Sequence, residues 1–260
     1  MRALRIAVPL ALGAFVLALW QFLARHYQVP VYVLPAPGDI APAFGDSAPE
    51  LLAALWTTLK VTWIAFALAF IAAMALAILF NVSRTLEMAL FPYAVVLQVT
   101  PMVAIAPIIL IWVGYERVEL AAVLIATVVA FFPILSNATI GLRSVDANLE
   151  DLFRLYGASR WQRLVRLQLP AALPYILSGV KVAGGLALIG AIVAEFVAGS
   201  GTATGLAWVI TEAGRNLQIA KMFAALALLS AVGVANFYAL TLLEWSLLHR
   251  WHESAVKRQG

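Results

Sequence analysis

The sequence predicts an all-α, polytopic membrane protein with about six transmembrane helices and one polar helix-Gly-helix loop. Three observations predict this class. Hydrophobic residues make up 64% of the chain and charged residues 12%, at a mean hydropathy of +0.96, against about 45–50% apolar residues in soluble domains. Six apolar runs are long enough to cross a hydrocarbon core of about 30 Å, which takes around 20 helical residues. No polar–apolar alternation recurs at the spacing of an outer-membrane barrel, so helices are left as the way to satisfy backbone groups in lipid.

The first run, about 6–24, follows Met-Arg-Ala-Leu-Arg and has the outline of a secretory signal. It exceeds the usual apolar core of about 7–15 residues, and Trp20, Arg25, His26 and Tyr27 at its end suit an interfacial anchor. It is therefore expected to remain as a span. Pro30, Pro35, Pro37, Pro42 and Pro49 come next. Proline removes a donor and restricts its predecessor, so this stretch is expected to be an extracytoplasmic loop rather than a continuous helix. The span and loop form an N-terminal region, 1–55.

A transmembrane domain is expected over 56–250, with further spans near 56–80, 88–113, 118–138, 171–198 and 220–247. Pro101 and Pro107 are expected to kink the third span and free carbonyls toward a cavity. Gly179, Ala183, Ala187 and Ala191 recur every fourth residue on the fifth, a close-packing stripe suited to a helix or subunit interface. Gly199-Ser-Gly201-Thr-Ala-Thr-Gly205 precedes a short amphipathic stretch with Glu212 and Arg215. It follows a membrane helix and lacks a Lys-Ser/Thr ending, so a turn is expected there, not a phosphate loop. A tail, 251–260, closes the chain.

Positive charge sets the orientation. With an even number of spans, one side holds Arg2, Arg5, Arg84, Arg143, Arg154, Arg160, Arg163, Arg166, Arg250, Lys257 and Arg258, whereas the other holds Arg25, Lys60, Arg117, Arg215 and Lys221. Both termini and the 139–170 region are assigned to the cytoplasm. The net charge of +4 follows from this asymmetry. Nucleic-acid binding is not expected, because the arginines alternate with membrane spans.

The polar loop, 146–170, resolves into two short helices. Asp146 is an N-cap, and Leu149, Leu152, Phe153 and Tyr156 fall at i, i+3, i+4 and i+7 on one face, with Glu150, Asp151 and Arg154 off it. Gly157 suits a left-handed C-terminal cap, and Ser159 with Gln162 forms a capping box for the next helix. There Arg160, Arg163 and Arg166 share a face suited to water or headgroups, before Pro170 and Pro174 turn the chain into the fifth span. Physics alone leaves two roles open: an amphipathic loop resting on the membrane, or a docking element for a soluble partner.

Within the spans, Glu195 is an ionisable group, either a hydrogen-bonded structural residue or a substrate contact. Lys181 is expected to snorkel to the interface. Gln98, Thr100 and Asn137 serve as inter-helix glue or as path-lining residues. There are no cysteines, and His26, His249 and His252 fall at span ends. No catalytic set, metal site or cofactor is therefore expected. An ion-gradient-driven secondary transporter is the alternative class, with Glu195 as its coupling carboxylate. A membrane-embedded enzyme would need a convergent polar set that the spans lack.

The loop resembles that of the inner-membrane permeases of binding-protein-dependent ABC importers, whose pattern is Glu-Ala-Ala, three residues, Gly, nine residues, Ile, one residue, Leu-Pro. Gly157, Leu167, Leu169 and Pro170 stand at those spacings, and Asp151 stands where the glutamate would. Leu152 and Phe153 replace the alanines and Leu167 the isoleucine, which makes a bulkier face. The resemblance covers about 57–250. Thr100-Pro101, Ala106-Pro107, Trp112-Val-Gly114, Phe132-Pro133-Ile134 with Asn137, Gly141-Leu-Arg143-Ser-Val-Asp146 and Val193-Ala194-Glu195-Phe196 are similar to the branch importing nitrate, sulfonates, taurine and bicarbonate, thiamine-precursor pyrimidines and riboflavin. It implies a bacterial inner-membrane permease, paired with a second permease copy, two cytoplasmic ABC ATPase subunits and an extracytoplasmic substrate-binding protein. It further implies an ATPase-coupling site at Glu150, Asp151, Leu152, Phe153, Tyr156, Gly157, Ala158 and Ser159, and a path for which Gln98, Thr100, Pro101, Asn137 and Glu195 are candidates.

Overall fold

The computed structural model describes residues 2–198 and 205–249, with side chains from residue 7 onward. The glycine-rich turn at 199–204 and the tail at 251–260 lie outside the described residues, as do the side chains of Arg2, Arg5, Arg250, Lys257 and Arg258. The described residues hold helices and no strand: α1 (Arg2–His26), α2 (Pro37–Val82), α3 (Arg84–Val99), α4 (Met102–Val113), α5 (Val118–Leu142), α6 (Ala147–Leu155), α7 (Arg160–Arg163), α8 (Leu169–Ala198), α9 (Leu206–Arg215) and α10 (Ile219–Leu248). Five helical stretches are long and apolar enough to cross a membrane, and α3 with α4 make a sixth if the two count as one span. That pair is bent by 101°. The break falls at Thr100–Pro101, while Pro107 is carried inside α4.

The residues cluster into two compact units, 1–57 with 204–231 and 58–203 with 232–260. In the first, the expected loop across Pro30–Pro49 is corrected: α2 starts at Pro37 and runs through Pro42 and Pro49. Pro37 sits at the helix start, where an N–H has no helical acceptor anyway. Pro42 and Pro49 lie on the exposed side, one heptad apart, so the carbonyls they free are not sealed in the core. The opposite face packs Phe44 and Leu51 with Leu206, Val209, Ile210, Ala224 and Ala225. Burial of that face outweighs the proline cost. Arg25 pairs with Asp39 at 2.6 Å, and the Gly38 N–H donates to Gln21 Oε1 at 2.8 Å, tying the end of α1 to the start of α2. The amphipathic stretch with Glu212 and Arg215 forms α9.

The second unit is organised around α5 and α8. Gly179 and Gly190 let the helices meet: a Cβ on Gly179 would stand 2.8 Å from Asn137 Cβ and the Pro133 carbonyl, and one on Gly190 2.7 Å from Ala126 Cα. Ala183, Ala187 and Ala191 are fully buried in the same packing. The small-residue stripe therefore serves a helix interface within the chain. Lys181 Nζ pairs with Glu244 of α10, both side chains about one-fifth exposed. Glu244 joins Glu195 as an acidic group within the spans.

Candidate functional site

The loop between α5 and α8 is built by local bonds. Asp146 Oδ1 accepts from the Asn148 N–H at 2.8 Å and caps α6. At the other end the Ala158 N–H donates to the Phe153 carbonyl at 2.9 Å and the Gly157 N–H to Arg154 at 3.0 Å. These are the two bonds of a Schellman cap, and Gly157 supplies its left-handed residue at φ +70°. Ser159 and Gln162 then exchange bonds of 2.8 and 3.2 Å in the anticipated capping box.

Beyond Gly157 the structure corrects two expectations. Arg163 does not share a solvent face with Arg160 and Arg166. The reversal at Gly157 lays α7 beside α6, and Arg163 Nη1 reaches Glu150 Oε1 at 3.0 Å with only 18% of its side chain exposed. Nor do Pro170 and Pro174 turn the chain. Residues 160–198 form one helical run, widened to π-type bonding at Leu164–Gln168. The Leu169 N–H reaches back to Leu164, and the wider turn accommodates the missing donor of Pro170.

The face of α6 away from this bracing is apolar and open. Leu155 and Tyr156 are 85% and 83% exposed, with Leu152 and Trp161 beside them also exposed. Leu152, Phe153, Tyr156, Ala158, Gln162 and Arg166 line a shallow cavity of about 320 Å³. The sequence reading missed Leu155, which lies off the periodic stripe but projects furthest, and Trp161. It also missed the anchor at the base: Glu87 in the first turn of α3 accepts from Arg84 at 3.1 Å and from both guanidinium ends of Arg143, Nη1 at 2.6 Å. Arg143 stands three residues before the α6 cap, so α3 and α5 are clamped together where the loop begins. No sequence signal links residues 56 apart.

Of the path candidates, the structure brings Gln98 and Thr100 together. Both line a cavity of about 340 Å³ with Met102, Val103, Val128, Val129, Pro133 and α8 residues including Gly190 and Val193. Pro101 is the extended residue capping α4 at the bend. Asn137 lies apart, donating to the Pro133 carbonyl at 2.8 Å and packed at Gly179. Glu195 is 3% exposed and accepts from Thr58 Oγ1 at 2.7 Å, away from that cavity. Among the described residues no group of three metal-ligating side chains converges.

Long apolar helices, one pair of them bent at a break beside a cavity, define a polytopic helical membrane protein. The chain belongs to the family of binding-protein-dependent transport system inner membrane components, matched over residues 65–247. It is thus a permease subunit of an ABC importer and not an enzyme, which sets aside the ion-gradient-driven carrier. Similar proteins include the putative aliphatic sulfonates transport permease of Bacillus subtilis, 31% identical over 94% of this chain and 87% of the relative. The formylaminopyrimidine transport permease of Halalkalibacterium halodurans is 32% identical over 92% and 94%. An inward-facing structure of a methionine ABC transporter has the same fold at a TM-score of 0.67 and 19% identity, over 77% of this chain and 97% of that one.

Proposed function

We propose that the 146–170 loop is the coupling site of this permease, where a separate cytoplasmic ABC ATPase docks on Glu150, Asp151, Leu152, Phe153, Tyr156, Gly157, Ala158 and Ser159, with Leu155 and Trp161 added. The observation that carries this reading is the exposure of Leu155 and Tyr156 on a helix capped at both ends. Apolar residues that open, on a short helix held rigid, are what a partner surface buries. Closure of the nucleotide-binding subunits around ATP drags α6. The Arg163–Glu150 brace and the Glu87–Arg143 clamp carry that displacement into α8, α3 and α5, and the path switches between inward-facing and outward-facing.

The transmembrane domain spans 56–250 behind an N-terminal region, 1–55, and a cytoplasmic tail, 251–260. It sits in a bacterial inner membrane with both termini cytoplasmic, supported by the arginines of the loop. Its partners are two ATPase subunits, an extracytoplasmic substrate-binding protein and a second copy of this chain. Gln98, Thr100 and Pro101 border the path, and Asn137 and Glu195 hold its helices. The substrate is a small anion such as a sulfonate, nitrate or bicarbonate, or else a thiamine-precursor pyrimidine or riboflavin.

Co-purification of the detergent-extracted permease with its ATPase tests the coupling site. Leu155→Asp with Tyr156→Asp is expected to reduce the retained ATPase at least about tenfold, as loss of buried anchors does, with no change in the permease's own melting. Full retention of the ATPase by that variant would refute the assignment.

A further inference from the structure

A further cavity, of about 590 Å³, lies between α2 and α5 within the second unit. Lys60 of α2 and Glu119 of α5 pair at 2.6 Å, and the Thr127 hydroxyl donates to the Ala65 carbonyl at 3.3 Å, so the two helices run the same way from that pair. α5 ends at Leu142, just before the 146–170 loop. From Lys60 to the end of α2 at Val82 is about 33 Å of helix, against a hydrocarbon core of about 30 Å. The Lys60–Glu119 pair therefore marks the boundary of the leaflet opposite the loop. Trp112 and Tyr115, at the end of α4 and in the turn after it, are exposed, as aromatic side chains at a membrane–water boundary are.

Charge and apolar surface are layered along this cavity. Glu116 and Arg117, from the turn between α4 and α5, complete its rim, which thus holds two charges of each sign. Lys60 and Glu119 satisfy each other. The side chains of Glu116 and Arg117 are exposed and have no ion-pair or hydrogen-bond partner among the described residues. Below the rim, Ile64 and Leu68 follow Lys60 at successive turns of α2, and Leu120 and Val123 line the opposite wall in the first turns of α5. Ile64, Leu68 and Leu120 are exposed. Those apolar walls lie at hydrocarbon depth, where a soluble protein does not reach.

We propose that this groove holds a zwitterionic phospholipid of the phosphatidylethanolamine class, its phosphate on Arg117, its ammonium on Glu116 and an acyl chain along Ile64, Leu68 and Leu120. Bulk lipid is as apolar as the groove, so the chain adds little selectivity and the headgroup decides. A phosphate takes the Arg117 guanidinium through parallel N–H bonds, and a primary ammonium brings three donors to the Glu116 carboxylate. Phosphatidylglycerol satisfies Arg117 but brings no cation to Glu116. A rim with equal numbers of each sign also lacks the excess of positive charge that draws anionic headgroups.

The complete importer, permease with its ATPase and binding protein, is extracted in detergent, and dioleoyl phosphatidylethanolamine or dioleoyl phosphatidylglycerol is titrated in under native mass spectrometry. Phosphatidylethanolamine is expected to bind about fivefold more tightly or better, the factor one net hydrogen bond supplies. Glu116→Gln is expected to weaken phosphatidylethanolamine alone and bring the two lipids within about twofold of each other. Arg117→Gln is expected to weaken both by about fivefold. Both side chains are exposed and unpaired, so the melting of the importer without added lipid is expected to stay unchanged in either variant. Equal binding of the two lipids by the parent overturns the proposal. So does a preference that survives Glu116→Gln, or an affinity for both lipids that Arg117→Gln leaves as it was. If the two substitutions spare lipid binding and instead lower the affinity of the binding protein for the importer, the turn after α4 is a protein edge and the lipid assignment fails.

Discussion

The α6–α7 loop and the α5–α8 pair obtain their order by opposite means. The loop is held by bonds between residues at most thirteen apart: an Asp146 cap, a Schellman cap at Gly157, a capping box at Ser159 and the Glu150–Arg163 brace. It buries little and leaves Leu155 and Tyr156 outside. The α5–α8 pair has few polar contacts, and its order comes from backbones brought together over Gly179, Ala183, Ala187, Gly190 and Ala191. An exposed loop is made rigid from within its own sequence, whereas a scaffold for spans is made rigid by contact between distant segments.

That contrast breaks most severely at Gly190. A leucine there would drive its Cβ against Ala126 Cα at 2.7 Å, a backbone atom that no rotamer change can move. Gly190→Leu is expected to cost about 3 kcal/mol or more and to abolish monodisperse protein after detergent extraction. Gly185, five residues earlier on the same helix, has nothing within 4 Å of a Cβ. Gly185→Ala is expected to hold or raise the melting temperature, by up to about 1 kcal/mol of helix propensity. Equal losses from both substitutions would mean that close approach is not what organises the pair.

Gly157 is the corresponding point in the loop, with an effect of intermediate size. It has open space around it but adopts φ +70°, so the cost of a side chain is conformational, about 1–2 kcal/mol. Gly157→Ala is expected to speed amide exchange in α6 and leave the melting of the spans unchanged. Slower exchange, or a shift in the whole protein, would show that the loop is not an independently capped element.

The same division decides what the sequence disclosed. Caps are local, so Asp146, Gly157, Ser159 and Gln162 were legible from residue type and spacing alone. Span positions were legible because apolar length is a property of single segments, and the break at Pro101 because proline removes a donor wherever it stands. Pro42 and Pro49 misled for the reason that a helix face packed on Leu206 and Ile210 outweighs local preference, and that packing is not local. The inward turn of Arg163, the Lys181–Glu244 pair and the Glu87–Arg143 clamp were hidden likewise, since each partner is selected by the fold. Leu155 escaped because it lies off the periodic stripe, and its exposure of 85% is set by the fold rather than by spacing.

The smallest effect separates two arginines on one carboxylate. Glu150 Oε1 lies 3.0 Å from Arg163 and 3.3 Å from Arg154, but Arg163 keeps 18% of its side chain exposed and Arg154 61%. An exposed i,i+4 pair contributes about 0.3–0.5 kcal/mol, and salt screens it. Arg154→Ala is therefore expected to leave α6 exchange within about twofold of the parent at moderate salt. Arg163→Ala removes a half-buried partner that joins two helices, so it is expected to loosen α6 by more, and to do so at high salt as well. Equal sensitivity of the two to salt would place the brace on the open surface. The loop would then owe its rigidity to its caps alone, and α6 and α7 would be joined only through the backbone at Gly157.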